Sequence, residues 1–493
     1  MKELTLKEAL GNTNYKSAAG IDENRKIRIS FPDGDIAADS LVYYTEKENS
    51  APLKISFEGI KPYAAVINND SALGTSDVPI IRTDSVRAAL AYAYSNQYEI
   101  DYEKIKIIGI TGTNGKTTTA SVIFEILKKS GYSVGFIGTG KILINEKCIT
   151  DNEYSMTTPD PGLLYQSLSR MQEAGCDYVV MEVSSHSLAL KKVAPILFEY
   201  VIFTNISEDH LDFHKTKDEY YKCKLSLLKQ AKRALFNMDD SLCAKAYEAA
   251  TCQRESIGII SDADVYATDV NINYLAGSEF YYRSKRLMFA VKTKLPGAFN
   301  IYNVLCALKC VIDLGIKACI AKKALEEIKA IDGRMEYISS DITVVIDYAH
   351  TVSAFDNCLK TLYSNKNARQ NITVVFGCGG NRDKSKREPM GRCASQYSEK
   401  IIITEDNNRN ECFIDIVSDI SRGIDNGEYR VIKNREKAIH TAIIEAKEGE
   451  IVAIIGKGHE RYKIEGGKYI PFDERLIINE ALRKRSAARE NKA

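Results

Sequence analysis

The chain has 493 residues, with 67 basic and 66 acidic side chains and a formal charge of +1. That length exceeds what one hydrophobic core supports and points to roughly three domains. The balanced charge leaves no broad field to hold nucleic acid or an anionic membrane surface, so a small-molecule substrate is the class that remains.

The N-terminal stretch lacks the apolar core and cleavage site of a signal peptide, and no apolar run approaches about 18 residues. A cytoplasmic monomer with no nucleic-acid or membrane partner is therefore expected. The 12 cysteines run from Cys148 to Cys412 without a CxxC pair, which argues against zinc and for free thiols packed as small side chains.

In chain order, residues 1–102 show sparse short strands (ISF, AAVI, PII) and a helix from about Ser85 to Asn96. This is a small α/β module whose topology the pattern leaves open. Continuous β-branched runs then begin at Ile105, Tyr178, Val201, Thr343, Ile372, Ile401 and Ile451, alternating with helical patterns. Uninterrupted apolar strands between helices predict parallel sheets covered on both faces, the doubly wound architecture. A helical segment from Asn300 to Ala330 precedes a second boundary near Asp332, and the polar tail after Leu482 is expected to fray.

The first of these strands runs into TGTNGKTTTA and then into the helical SVIFEILKK. Gly112 and Gly115, with Thr113, Asn114 and Thr118 between and beyond them, let backbone N–H groups close around phosphate oxygens. Lys116 adds a point charge and the Thr117 hydroxyl can ligate Mg²⁺. The match to the general phosphate loop is imperfect, because Ile110 stands where that pattern has glycine. The charged and glycine-rich clusters after the other strands sit where open parallel sheets bind ligands. The expected fold is α/β with three domains: a small module at 1–102, a central doubly wound P-loop ATPase domain at 103–332 and a C-terminal Rossmann-like domain at 333–493.

The variant TGTNGKTT resembles the ATP loop of the Mur ligases and of their relatives that extend folate with glutamate. Eight further stretches resemble that family in its own order. They are SMTTPD from Ser155, MEVSSHSLALKKV from Met181, FTNISEDHLDFH from Phe203, DGRMEYI from Asp332, DYAHT from Asp347, FGCGGNRDKSKREPMG from Phe376, TEDNNRNE from Thr404 and GKGHERYK from Gly456. They are most similar to the branch that adds the third amino acid of the peptidoglycan stem. The resemblance implies an ATP- and Mg²⁺-dependent, ADP-forming amide ligase of cell-wall synthesis. It would activate the carboxylate of a UDP-MurNAc-dipeptide as an acyl phosphate and join it to a diamino acid.

Carried over residue by residue, the resemblance makes Glu182 a Mg²⁺ ligand and His210 a ligand of a second Mg²⁺. Lys224 would be carbamylated and reach the metal shell, although from the residues alone it reads as an exposed helical lysine, with Lys222 as its neighbour and competitor. Asn303 is expected at the adenine, and Arg334 and Asp347 are expected over ATP from the third domain. Thr157, Thr158, Ser184 and Lys192 would face the acceptor, and Arg382, Asp406, Asn407, Arg409, Gly456 and Glu460 the incoming amino acid. Arg409 offers a planar fork to the distal carboxylate of meso-diaminopimelate, and Glu460 a counter-charge to its distal ammonium. L-lysine has no such carboxylate.

The chain departs from the family in three places. The first domain has no Asp-Ser-Arg segment to hold uridine; Leu190 and Lys192 stand for a glutamine and an arginine; Asn408 stands for the proline of DNPR. Two rival readings follow: a related ligase with a different acceptor, and a regulatory protein that hydrolyses ATP without ligation. The amino-acid positions argue against the second rival, since a switch has no use for them.

Overall fold

The structure is a computed structural model that describes residues 2–18, 20–31, 36–45, 52–150, 157–207, 209, 211–272, 276–364, 366–367, 370–425 and 428–490. Its strands form a six-stranded sheet near the N-terminus, an eleven-stranded sheet and a second six-stranded sheet, with two small strand pairs.

The central sheet places the phosphate-loop strand Lys106–Thr111 between Tyr178–Glu182 and Phe198–Phe203, all parallel. Every residue of Tyr178–Glu182 and of Val134–Gly138 is buried, as strands covered on both faces require. One apolar cluster on the helix Lys116–Lys129 side and a second around Leu164, Leu168 and Phe236 fill the two faces. The C-terminal sheet runs Glu336–Ser339, Thr343–Asp347, Ile451–Ile455, Ile372–Phe376, Lys400–Ile403, Tyr429–Val431, parallel except for its first strand. All seven apolar runs are strands.

In the N-terminal module four strands, Lys26–Ser30, Ser40–Tyr43, Ala64–Asn68 and Ile80–Thr83, are parallel in that order, flanked by antiparallel Leu4–Thr5 and Tyr15–Ser17. The helix Val86–Gln97 is capped by Ser85, whose hydroxyl accepts from the Ala88 N–H.

Two expectations need correction. The segment from Asn300 to Ala330 is two helices, Ala298–Asp313 and Ala318–Glu327, because Gly315 at φ 96° stops the first. The tail does not fray at Leu482: the helix Glu474–Glu490 continues because Arg485, almost fully buried, donates to the carbonyls of Ile443 and Ala446 and pairs with Asp341. The cysteines are free thiols, and Cys306 and Cys310 pack in the core. Among the described residues no helix is long and apolar enough to cross a membrane.

Candidate active site

The phosphate loop is built by backbone conformation. Gly112 and Gly115 have φ of 149° and 84°, and a Cβ on either would meet Thr204 Oγ1 at 2.0 Å or Asn303 Oδ1 at 2.4 Å. Only glycine fits both. The Lys116 ammonium curls over its own loop, donating to the carbonyls of Gly112 at 2.9 Å and Thr113 at 2.8 Å. Burial depresses its pKa, while Glu182 and Asp209 oppose that shift. The Thr113 hydroxyl meets Tyr220 Oη at 2.9 Å, and the Asn114 N–H donates to Asn205 Oδ1.

Strand register brings Glu182 level with Ile110, one strand over from the loop. Its carboxylate accepts from Thr117 Oγ1 at 2.9 Å, from the Thr139 N–H at 3.1 Å and from Thr139 Oγ1 at 3.4 Å. An anion buried to 1% exposure among neutral donors suits a cation beside the phosphates. Lys224 is likewise 1% exposed, whereas Lys222 is 72% exposed and paired with Asp218. Lys224 Nζ donates to Gly112 O at 3.0 Å and lies 4.7 Å from the centre of the Tyr220 ring. Burial, then the Lys116 charge, lower its pKa to about 7.

Arg334 and residues between Asp347 and Cys358 also line this cavity, whose volume is about 460 Å³. Arg334 stacks on Tyr348 at 4.4 Å and donates to Thr117 Oγ1 at 3.0 Å, and the Thr351 hydroxyl donates to Asn114 Oδ1 at 3.2 Å. Asp347 is fixed by the N–H groups of Met335 and Ala349, and burial raises its pKa. Asn303 also lines the cavity, its amide bonded to Asn300. Thr158 Oγ1 lies between the Glu182 carbonyl and the Ser184 hydroxyl.

A second cavity of about 630 Å³ adjoins the first and shares Thr139, Thr157 and Tyr348 with it. Arg382, Arg409, Asn407 and Glu460 line it. Arg409 adopts φ 52° and donates to the carbonyls of Gly380 at 2.9 Å and Asn407 at 3.2 Å. Burial, then the facing Arg382 guanidinium, lower its pKa, as expected of a cation pair arranged for an anion. Burial pushes the pKa of Asp406 up, but the Lys457 and Arg435 charges outweigh it and hold the pKa down, and Gly456 at φ 124° would bring a Cβ within 3.2 Å of its carboxylate. Glu460 is already engaged: Oε2 accepts from Asn407 at 3.0 Å and Lys457 at 3.3 Å, and Oε1 from Tyr348 Oη at 3.4 Å.

His210 lies outside the described residues. Lys192 is buried and pairs with Asp160 at 2.8 Å, and it is not among the residues that line the cavity around the phosphate loop. The sequence reading also missed Thr139, Tyr348 and Lys457. The first two sit beside motif glycines and acids, but their signal is spatial: a threonine after a buried strand and a tyrosine at a strand end are too common to single out.

The chain matches the Mur ligase middle domain over residues 110–311 and the Mur ligase glutamate ligase domain over residues 333–458. It is 36% identical over 498 residues to UDP-N-acetylmuramoyl-L-alanyl-D-glutamate--2,6-diaminopimelate ligase 1 of Clostridium acetobutylicum, covering 98% of this chain and 100% of that protein. The corresponding ligase of Clostridium botulinum is 39% identical over 412 residues, 83% of this chain and 84% of that one. A solved structure of a ligase of the same description superposes with a TM-score of 0.65 at 26% identity, covering 98% of this chain and 100% of that chain. The two matched domains carry the phosphate loop and the arginine pair, so the protein belongs to the Mur ligases, a family of ATP-dependent, ADP-forming ligases.

Proposed function

We propose that the protein joins meso-diaminopimelate to the free carboxylate of UDP-N-acetylmuramoyl-L-alanyl-D-glutamate, with ATP cleaved to ADP and phosphate, in peptidoglycan precursor synthesis. One observation carries this reading. The phosphate cavity and the arginine-lined cavity meet at Thr139, Thr157 and Tyr348, so a carboxylate activated at one would face an amine held in the other.

A carboxylate and an amine do not condense in water. The γ-phosphoryl of ATP therefore passes first to the acceptor carboxylate, and the amine then displaces phosphate from the acyl phosphate. Lys116 and Arg334 supply positive charge at the transferring group, and closure of the third domain excludes water from it. Mg²⁺, held by Thr117, Glu182, His210 and the carbamate of Lys224, would neutralise the phosphate oxygens.

The pKa of Lys224 supports that carbamate, since carbon dioxide reacts with a neutral amine. At about 7, the lysine offers on the order of 10³ times more neutral amine near pH 7 than an ordinary one. Its place, bonded to the loop carbonyl of Gly112, points the same way. We read the three sheets as domains with boundaries at 102 and 332: acceptor module, ATP domain and amino-acid domain. The two arginines favour diaminopimelate over L-lysine, which has no carboxylate to set between them.

One observation favours a second reading, a ligase with a different acceptor: Leu190 is apolar and the Lys192 ammonium is spent on Asp160. A single assay separates the readings. ADP release by purified protein is measured with and without acceptor and diaminopimelate. Release that needs both supports the proposal; release that needs neither overturns it for hydrolysis; release with diaminopimelate and a different acceptor establishes the second reading.

A further inference from the structure

The amino-acid cavity has a buried hub that no motif role accounts for. Lys457 is 1% exposed, yet its ammonium has three donors and four acceptors around it. It donates to Asn407 Oδ1 at 3.0 Å, to the Tyr462 carbonyl at 2.9 Å and to Glu460 Oε2 at 3.3 Å, and pairs with Asp406 Oδ1 at 3.3 Å. These acceptors come from separate segments: the loop after Lys400–Ile403, the turn after Ile451–Ile455 and the strand Tyr462–Glu465. Asn407 closes the network, donating to Glu460 Oε2 and accepting from the Ile464 N–H.

Charge counting gives this hub a consequence. Two largely buried carboxylates against one ammonium leave a single net negative charge on this hub, beside the guanidiniums of Arg382 and Arg409. Burial and the Asp406 charge raise the pKa of Glu460 and Lys457 opposes them, so without Lys457 Glu460 would take up the proton and the single negative charge would rest on Asp406. The wall would then present a neutral carboxylic acid to an incoming ammonium, and Asn407 would lose the partner that orients its amide.

We infer that Lys457 is a positioning residue for amino-acid selection: it keeps Glu460 ionised and aimed, so that the cavity presents one negative and one positive wall to a zwitterionic side-chain end. This deepens the proposed function and rests on it. Lys457 does not line the cavity around the phosphate loop, so its effect is expected on the amino acid.

The test is a double-substitution cycle with Lys457→Gln and Glu460→Gln, which keep most of the volume and hydrogen-bonding capacity while removing charge. Steady-state KM is measured for diaminopimelate and for ATP, with calorimetric binding of diaminopimelate to the nucleotide-loaded enzyme as a second readout. Lys457→Gln is expected to raise KM for diaminopimelate about 30-fold or more while KM for ATP stays within about threefold. In the Glu460→Gln background the same change should cost less than about threefold, because the Glu460 charge that Lys457 sustains is already gone and Asp406 no longer has a like charge beside it. Additive effects, or a rise in both KM values together, overturn the inference in favour of general structural support. If Lys457→Gln does not fold, calorimetry on Glu460→Gln and Asp406→Asn decides: equal losses of diaminopimelate affinity fit a shared wall, and unchanged affinity overturns it. A parent enzyme that binds no diaminopimelate overturns the reading of the cavity and this inference with it. A parent that binds it while the variants bind equally well overturns the inference alone.

Discussion

The two cavities meet at three residues but are built by opposite means. The phosphate cavity is made of backbone: glycines at positive φ, a helix N-terminus and short hydroxyls, with single charges set at its edges. The amino-acid cavity is made of side-chain charge, with arginines facing each other and a lysine buried against two carboxylates. A polyphosphate is recognised by a shape that its oxygens share, and loop backbone supplies it. A diamino acid is recognised by where its charges lie, and that takes counter-charges held from several segments at once. Damage to the first should therefore appear in the chemical step, and damage to the second in selectivity.

The largest effect expected from this contrast is on Lys116. Its removal takes a cation from the phosphate cavity, and Lys116→Ala should lower kcat on the order of 10³-fold with KM for diaminopimelate nearly unchanged. Single-turnover ADP release reads this directly, and a loss confined to KM would erase the distinction between the cavities. Next comes Lys224→Ala, expected to lose about 100-fold in kcat and to recover partly with added short-chain carboxylic acids, which replace the carbamate anion. Full activity of the variant, or failure of every acid to restore any, would remove Lys224 from the phosphate site.

On the other side of the comparison, Arg409→Leu should leave kcat within a few-fold but flatten the preference for diaminopimelate over L-lysine. The unsatisfied distal carboxylate forfeits about 2 kcal/mol, or about 30-fold in kcat/KM ratio. A variant that keeps its preference would hand the selection to Arg382. The smallest effect concerns Lys141, whose ammonium pairs with Asp332 at the junction of the second and third domains. Both groups are partly exposed, so Lys141→Ala should raise KM for ATP only about threefold, measured at low salt and vanishing at high salt.

The same contrast explains what the sequence disclosed. The seven parallel strands were legible because each is an unbroken apolar run, and the phosphate loop because glycine, lysine and threonine at fixed spacing report a local backbone shape. The antiparallel strands Val265–Ile272, Ser278–Ser284 and Met288–Thr293 were not, because exposed Tyr266, Tyr281 and Met288 blur the alternation of buried and solvent-facing residues that would mark them. Lys224 reads as a surface lysine in its own helix, and only the loop packed over it makes it buried. The Lys192–Asp160 pair is equally invisible in the sequence, and Lys457 is silent for the same reason: its four partners come from separate segments between Asp406 and Tyr462.

The bonds from Arg334 to Thr117 and from Thr351 to Asn114 tie the C-terminal part of the chain to the glycine loop proposed to hold the phosphates. In the proposed reaction these bonds have to part before spent nucleotide leaves, and each cycle is expected to end with a swing of the C-terminal part through solvent. Turnover should then feel the friction of the medium: thickening the buffer with sucrose would slow steady-state cycling in proportion to viscosity while leaving the first burst of ADP formation unchanged.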